Sequence, residues 1–140
     1  NKHHMKTTII AACLLLCGYL NAQTYSLEVN MSGFKNNKGK VKVGLYTSET
    51  TFLKVTFLSL DASIKNNQAK VMFKNLEKGE YAVSIYHDEN NNNEMDKNFF
   101  GIPKEAYASS NNAKGSFGPP KYIDAKFIVK EDTTLHITID

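Results

Sequence analysis

The sequence has no arginine, no tryptophan, 3 prolines and 2 cysteines in 140 residues, and each shortage excludes something. All 17 of its strongly basic residues are lysines, scattered along the chain. Nucleic-acid readers use the bidentate fork of Arg and cluster their positive charge, so no nucleic-acid partner is expected. The lysine-only usage, like the 15 asparagines, fits an AT-rich genome and carries no functional weight. Both cysteines, Cys13 and Cys17, fall in one apolar run over residues 9–20, so the remainder offers neither a disulfide nor a thiol nucleophile. That run is too short for a permanent membrane span, which needs about 20 apolar residues. With 41% hydrophobic residues, 22% charged and 8 Gly, the disordered, collagen-like and multi-span membrane classes drop out. A chain of about 100–150 residues buries roughly two-thirds of its unfolded surface, so one self-sufficient domain is expected.

What is present begins with a targeting segment. Met5-Lys6 gives a short positive start, residues 9–20 an apolar stretch, and Asn21-Ala22-Gln23 a small residue at a cleavage point. This is the pattern of a secretory signal peptide, with cleavage after Ala22 and residues 1–4 a short extension before Met5. The Asn-Ala-Gln boundary resembles that of exported Bacteroidetes proteins. A lipidated cysteine normally follows a small residue, and Cys17 follows Leu14-Leu15-Leu16, so plain export to the periplasm or outer surface is expected over lipidation. Removing residues 1–22 takes away Lys2 and Lys6 and leaves a nearly neutral domain, 23–140, with 15 lysines against 14 acidic residues.

That domain reads as strands. Tyr25, Leu27, Val29 and Met31 alternate with Ser26, Glu28 and Asn30; Val41, Val43 and Leu45 alternate with Lys40, Lys42 and Gly44. Period two is the mark of a half-buried strand. Residues 52–60 are apolar on both parities and fit an irregular strand or a short helical turn. Val71 and Phe73, then Leu76-Glu77-Lys78-Gly79, then Tyr81, Val83 and Ile85 predict a hairpin with Gly79 at a positive φ. Late strands are expected over 122–129 and around Leu135, Ile137 and Ile139, separated by the turn 130–132. About seven short strands without an amphipathic helix define an all-β class, an antiparallel seven-stranded Ig-like or transthyretin-like sandwich with one long loop. The run Val71-x-Phe73-x-Asn75-Leu76-x-x-Gly79-x-Tyr81-x-Val83 resembles the corresponding segment of transthyretin-like and Cna-B-like modules.

The anomaly is residues 87–120, some thirty without sustained periodicity. Loops beyond about 12–15 residues in compact domains are functional or disordered, and this one carries too many aromatics to be a disordered linker. Its oxygen-bearing side chains fall at Asp88, Asn90, Asn92, Glu94 and Asp96, the spacing of positions 1, 3, 5, 7 and 9 of an EF-hand-type loop. Asp88, Asn90 and Asn92 would offer side-chain oxygens to Ca²⁺, Glu94 its backbone carbonyl, and Asp96 a direct or water-mediated contact. Asn93 stands where Gly usually makes the left-handed turn, and Asn tolerates that conformation next best. The twelfth position, where a bidentate Glu belongs, is Phe99, so a final carboxylate must come from elsewhere, Glu105 being nearest. The bland reading is a solvated acidic turn whose Asp and Asn cap their own backbone. Phe99, Phe100, Tyr107 and Phe117 are expected to pack as a small core of the loop; exposed, they would instead be a binding surface for a protein or glycan partner.

A hydrolase would rest on His87 beside Asp88 with Ser109 or Ser110 nearby. Adjacent residues at a strand end point apart, so no enzyme is expected. One His with Glu105 in a thiol-free loop is a poor zinc site, and His136 lies on the polar parity of its strand.

The run His87-Asp88-Glu89-Asn90 to Asp96-x-Asn98, with Phe100-Gly101-Ile102-Pro103-Lys104-Glu105, Ser110-Asn111-Asn112-Ala113, Gly115, Pro119 and Asp124-Ala125, resembles the bacterial domain of unknown function 2141 over nearly the whole mature chain. Members often read Asn-Gly at 92–93 and Gly-Tyr-Gly-Phe-Ser at 106–110. The resemblance implies an exported single-domain β-sandwich without an assigned activity. The expectation is an exported, monomeric, non-catalytic binding or structural module with Ca²⁺ as its one candidate cofactor; the alternative is a metal-free structural accessory of the cell envelope.

Overall fold

A computed structural model describes residues 21–140. The body of the expected signal peptide and both cysteines lie outside the described residues. Among the described residues there are eight strands: β1 (Thr24–Ser32), β2 (Lys40–Tyr46), β3 (Leu58–Ala62), β4 (Gln68–Glu77), β5 (Gly79–Asp88), β6 (Tyr107–Ser109), β7 (Phe127–Val129) and β8 (Thr133–Thr138). A 3₁₀ turn over Ser110–Asn112 and one helical turn, α1 (Tyr122–Ala125), complete the regular structure. The strands form two sheets, one ordered β4-β1-β8, the other β3-β2-β5-β6 with β7 also against β5. The molecule is an all-β sandwich.

The period-two residues meet between the sheets. Leu27, Val29 and Met31 of β1, Val71, Phe73 and Leu76 of β4 and Ile137 of β8 face Val41, Val43 and Leu45 of β2 and Tyr81, Val83 and Ile85 of β5 in one core. Each fully buried aliphatic or aromatic side chain contributes about 1.5–3 kcal/mol. In β4 one extra residue is accommodated opposite Ser26, with Asn75 at φ +59°, a bulge that keeps Leu76 on the core side.

Three expectations are corrected. β4 and β5 are not a hairpin: only Lys78 separates them, yet β4 pairs with β1 and β5 with β2, so the chain crosses from one sheet to the other. Gly79 is not among the positive-φ residues, and the bend is held instead by the Tyr81 hydroxyl donating to the Glu77 carbonyl at 2.7 Å. Apolar alternation fits an arch between sheets as well as a hairpin within one, because both put the same parity into the core. Second, residues 122–125 form α1, and only Phe127–Val129 extends as a strand. Third, the sandwich is not wholly antiparallel, since β8 runs parallel to β1, pairing Leu27 with Thr133 through Ser32 with Thr138.

Residues 48–55 fold as a turn, with Phe52 and Val55 N–H groups donating to the Ser48 and Thr51 carbonyls, before β3 begins. This turn and α1 cover the outer face of β5, where Phe52 packs edge-on against Tyr46 at 5.2 Å and Tyr122 at 5.7 Å.

Candidate carboxylate-centred loop site

The site forms where β2 and β5 end together. Lys40 pairs with Asp88, and the chain then leaves the sheet at residue 89 to return as β6. His87, Asp88 and Glu105 are buried at this exit. His87 follows the inward parity of Val83 and Ile85: its N–H donates to the Ala106 carbonyl at 2.9 Å, its Nε2 meets the Lys38 carbonyl at 2.6 Å, and its ring stands edge-on to Phe34 at 5.4 Å.

Asp88 organises the loop that follows. Its two oxygens accept the N–H groups of Asn92 at 3.2 Å and Asn93 at 2.9 Å. The Asn90 and Asn92 side-chain oxygens accept the N–H groups of Asn92 and Glu94 at 3.3 and 3.0 Å. Short polar side chains thereby satisfy backbone donors that a loop leaves free. Asn93 takes φ +63°, the left-handed conformation its place in the spacing requires, and Asn91 takes +57°.

Glu105 closes the loop from its far side. One oxygen accepts the Glu89 N–H and the other the Asp96 N–H, each at 2.9 Å, while the Lys104 N–H donates to the Asp96 carbonyl at 2.7 Å. The Asp96 carboxylate receives the side-chain amides of Asn90 and Asn92, both at 2.6 Å. Asp88, Asn90, Asn92, Asp96 and Glu105 are therefore drawn into one network, with Glu94 joined through its N–H. Phe99, in the twelfth place, points into solvent instead. Among the described residues no three His, Cys, Asp or Glu side chains form a group that by itself encloses a metal. The donor set nevertheless consists of carboxylate and amide oxygens, the chemistry suited to Ca²⁺ and not to zinc. The surrounding negative field is visible at Tyr86, whose phenol is pushed up to about 12, first by burial and then by Asp88, Glu105, Asp61 and Glu94.

Residues distant in sequence complete the surroundings. Gly39 sits at φ +61° so close beneath the loop that a Cβ would collide with the carbonyl oxygens of Asp88 and Glu89. The Lys40 ammonium donates to Asn93 Oδ1 at 2.5 Å, and that of Lys42 reaches Asn93 at 3.3 Å and Asp61 at 3.0 Å. No local spacing announces these partners, which lie some fifty residues away in the chain.

The loop's aromatics are not a miniature core. Phe99, Phe100, Tyr107 and Phe117 are 97%, 82%, 38% and 106% exposed. The short turns that carry the three phenylalanines have too little backbone above them to cover their side chains. His87 and the serines are not assembled for hydrolysis: Ser109 pairs with Ser84 on the outer parity of the sheet, opposite to that of His87, and its hydroxyl has no partner among the described residues. The Ser110 hydroxyl accepts from the Val83 N–H at 2.9 Å and donates to the Ala125 carbonyl at 2.5 Å.

Fold and site define a β-sandwich module carrying one long, side-chain-capped loop at the end of its sheets. The chain belongs to the family described as "Uncharacterized protein conserved in bacteria (DUF2141)", whose model matches residues 29–137. No curated protein and no solved structure matches it.

Proposed function

We propose that the chain is an exported, non-catalytic binding or structural module whose loop 88–96, closed by Glu105, takes up Ca²⁺, with the outward aromatic tips as its contact surface. The observation that carries this reading is Glu105. The loop's spacing lacks a final acid, and this buried carboxylate, 16 residues past Glu89, bonds to both ends of the loop. Ca²⁺ takes six to eight oxygens at about 2.3–2.6 Å, and Asp88, Asn90, Asn92, Glu94, Asp96 and Glu105 supply oxygens of that kind. The ion would replace the amide donations onto Asp96. The burial of His87 and its engagement with Lys38 support a non-catalytic role.

The test is a thermal melt in EDTA, in about 10 mM Ca²⁺ and in about 10 mM Mg²⁺, repeated on Asp96→Asn and Glu105→Gln. At a hundred times a dissociation constant of about 10⁻⁴ M the ion adds roughly 2.7 kcal/mol and raises the midpoint by about 10 °C. Both variants are expected to lose the Ca²⁺-selective rise. No selective rise, or one kept in both variants, overturns the Ca²⁺ site and leaves a metal-free structural accessory.

A further inference from the structure

Two loop tips stand out from the rest of the surface. The first is pinned by Asn98: its side-chain oxygen accepts the N–H groups of Phe100 and Ile102 at 2.9 and 3.0 Å, and its backbone pairs with Gly101 and Ile102 at 2.9 Å each. This holds Phe99 and Phe100 outward, edge-to-face at 5.5 Å, with Ile102 exposed beside them. The second tip is a turn so tight that a Cβ on Gly115 would collide with the carbonyl oxygens of Gly118 and Pro119, and it carries Phe117 in solvent. The tips flank one cleft of about 410 Å³, to which the first contributes Pro103 and Lys104 and the second Lys114, Gly115 and Gly118.

Within the segment that carries the tips the exposed charge is positive, although Asp140 pairs with Lys114 at 3.1 Å and the acidic loop 88–96 lies at the same end of the sandwich. Residues 97–121 carry Lys97, Lys104, Lys114 and Lys121, all exposed. The one acid in that stretch, Glu105, is buried and turned to backbone N–H groups. Rigid, convex aromatic tips ringed by lysine match a membrane interface, which accepts aromatic side chains at headgroup level without a shaped pocket and attracts lysine to anionic lipid. A protein partner would instead have to offer well-packed apolar pockets shaped to these rings.

We propose that the Phe99–Phe100 and Phe117 tips insert into the interfacial layer of an anionic lipid bilayer, with Lys97, Lys104, Lys114 and Lys121 on the headgroups. This rests on the reading of the tips as a contact surface and not on Ca²⁺, so the experiment is run in EDTA, where the melt above and the result below fail separately.

The chain has no tryptophan, so Phe100→Trp and Phe117→Trp each place a single indole at a tip. Phe57→Trp is the control, exposed at the opposite end of the sandwich, where its N–H donates to the Leu45 carbonyl. Each variant of the full chain is mixed with vesicles of phosphatidylglycerol and phosphatidylethanolamine, and with phosphatidylcholine alone. Emission from the two tip positions is expected to shift to shorter wavelength with the anionic vesicles only, while the control stays unchanged. Lys104→Gln with Lys114→Gln is expected to weaken vesicle affinity by about tenfold or more, and Phe99→Ser with Phe117→Ser by a comparable factor. Unshifted tip emission, an equal shift at position 57, or an equal shift with phosphatidylcholine overturns the proposal. So does a shift without lipid that grows with protein concentration, which assigns the tips to a second copy of the chain.

Discussion

At Asp88 and Glu105 two carboxylates leave bulk water and are met by backbone N–H groups, and among the described residues no lysine is ion-paired with either. Hydrogen bonds to a charged group are each worth about 1.5–3 kcal/mol, so these residues hold the loop's shape whatever occupies it. Their charge is felt by Tyr86, whose phenol is raised to about 12 by burial and by the surrounding carboxylates. An unfolded tyrosine ionises near its ordinary value of 10.0, so the unfolded chain gives up this proton first. The stability Tyr86 contributes is fully present below pH 10 and is lost as pH rises from about 10 to about 12. Tyr122, raised to about 12 by burial and by its bond to Glu80, adds to the same alkaline limb. Tyr86→Phe is therefore expected to flatten part of the fall in stability between pH 10 and 12, read from denaturant midpoints, and Tyr86→Phe with Tyr122→Phe to flatten more of it.

Among the elements, the segment joining β1 to β2 acts on a loop it does not adjoin in sequence. Gly39 meets the backbone of residues 88–89 at a positive φ, so Gly39→Ala adds both a steric collision and a strained backbone. A loss of about 2–4 kcal/mol is expected in urea unfolding, together with weakening of any Ca²⁺-dependent rise in melting temperature. The strands themselves were legible in the alternation of Leu27, Val29 and Met31 or of Val41, Val43 and Leu45, because burial on one face imposes period two. Their pairing was not: Lys78 joins β4 to β5 as an arch, and the same parities would serve a hairpin. Tyr122 reads as a strand residue from its apolar neighbours, yet its place is over the outer face of β5 against Phe52, a contact across some seventy residues that no local pattern encodes. The loop's turn was legible in its alternating Asp and Asn side chains, which cap its backbone, and in the choice of Asn93 for a left-handed conformation. Glu105 could be named only as the nearest acid, while Gly39, Lys40 and Lys42 come to the site by sheet register alone. The aromatics misled because composition cannot say whether a phenylalanine has anything above it.

At the scale of the whole domain, the last of the described strands, β8, lies beside the first, β1. Pairing of β8 with β1 over the full length of the domain makes its contacts non-local, and such topologies fold in milliseconds to seconds. Deleting residues 133–140 removes Ile137 and Ile139 from the core and leaves β1 with an unpaired edge. Circular dichroism of that truncation is expected to show no cooperative melt, whereas the intact chain shows one. The parallel sense of this pair also gives the domain a polarity. Thr24 lies at one pole, while Ser32, the loop site, both aromatic tips and the Lys114–Asp140 ion pair gather at the other, about 30 Å away along the nine residues of β1. A tether at the amino-terminal pole therefore leaves the loops free to meet whatever they bind, and a surface, dye or fusion partner attached after Asp140 stands in their way.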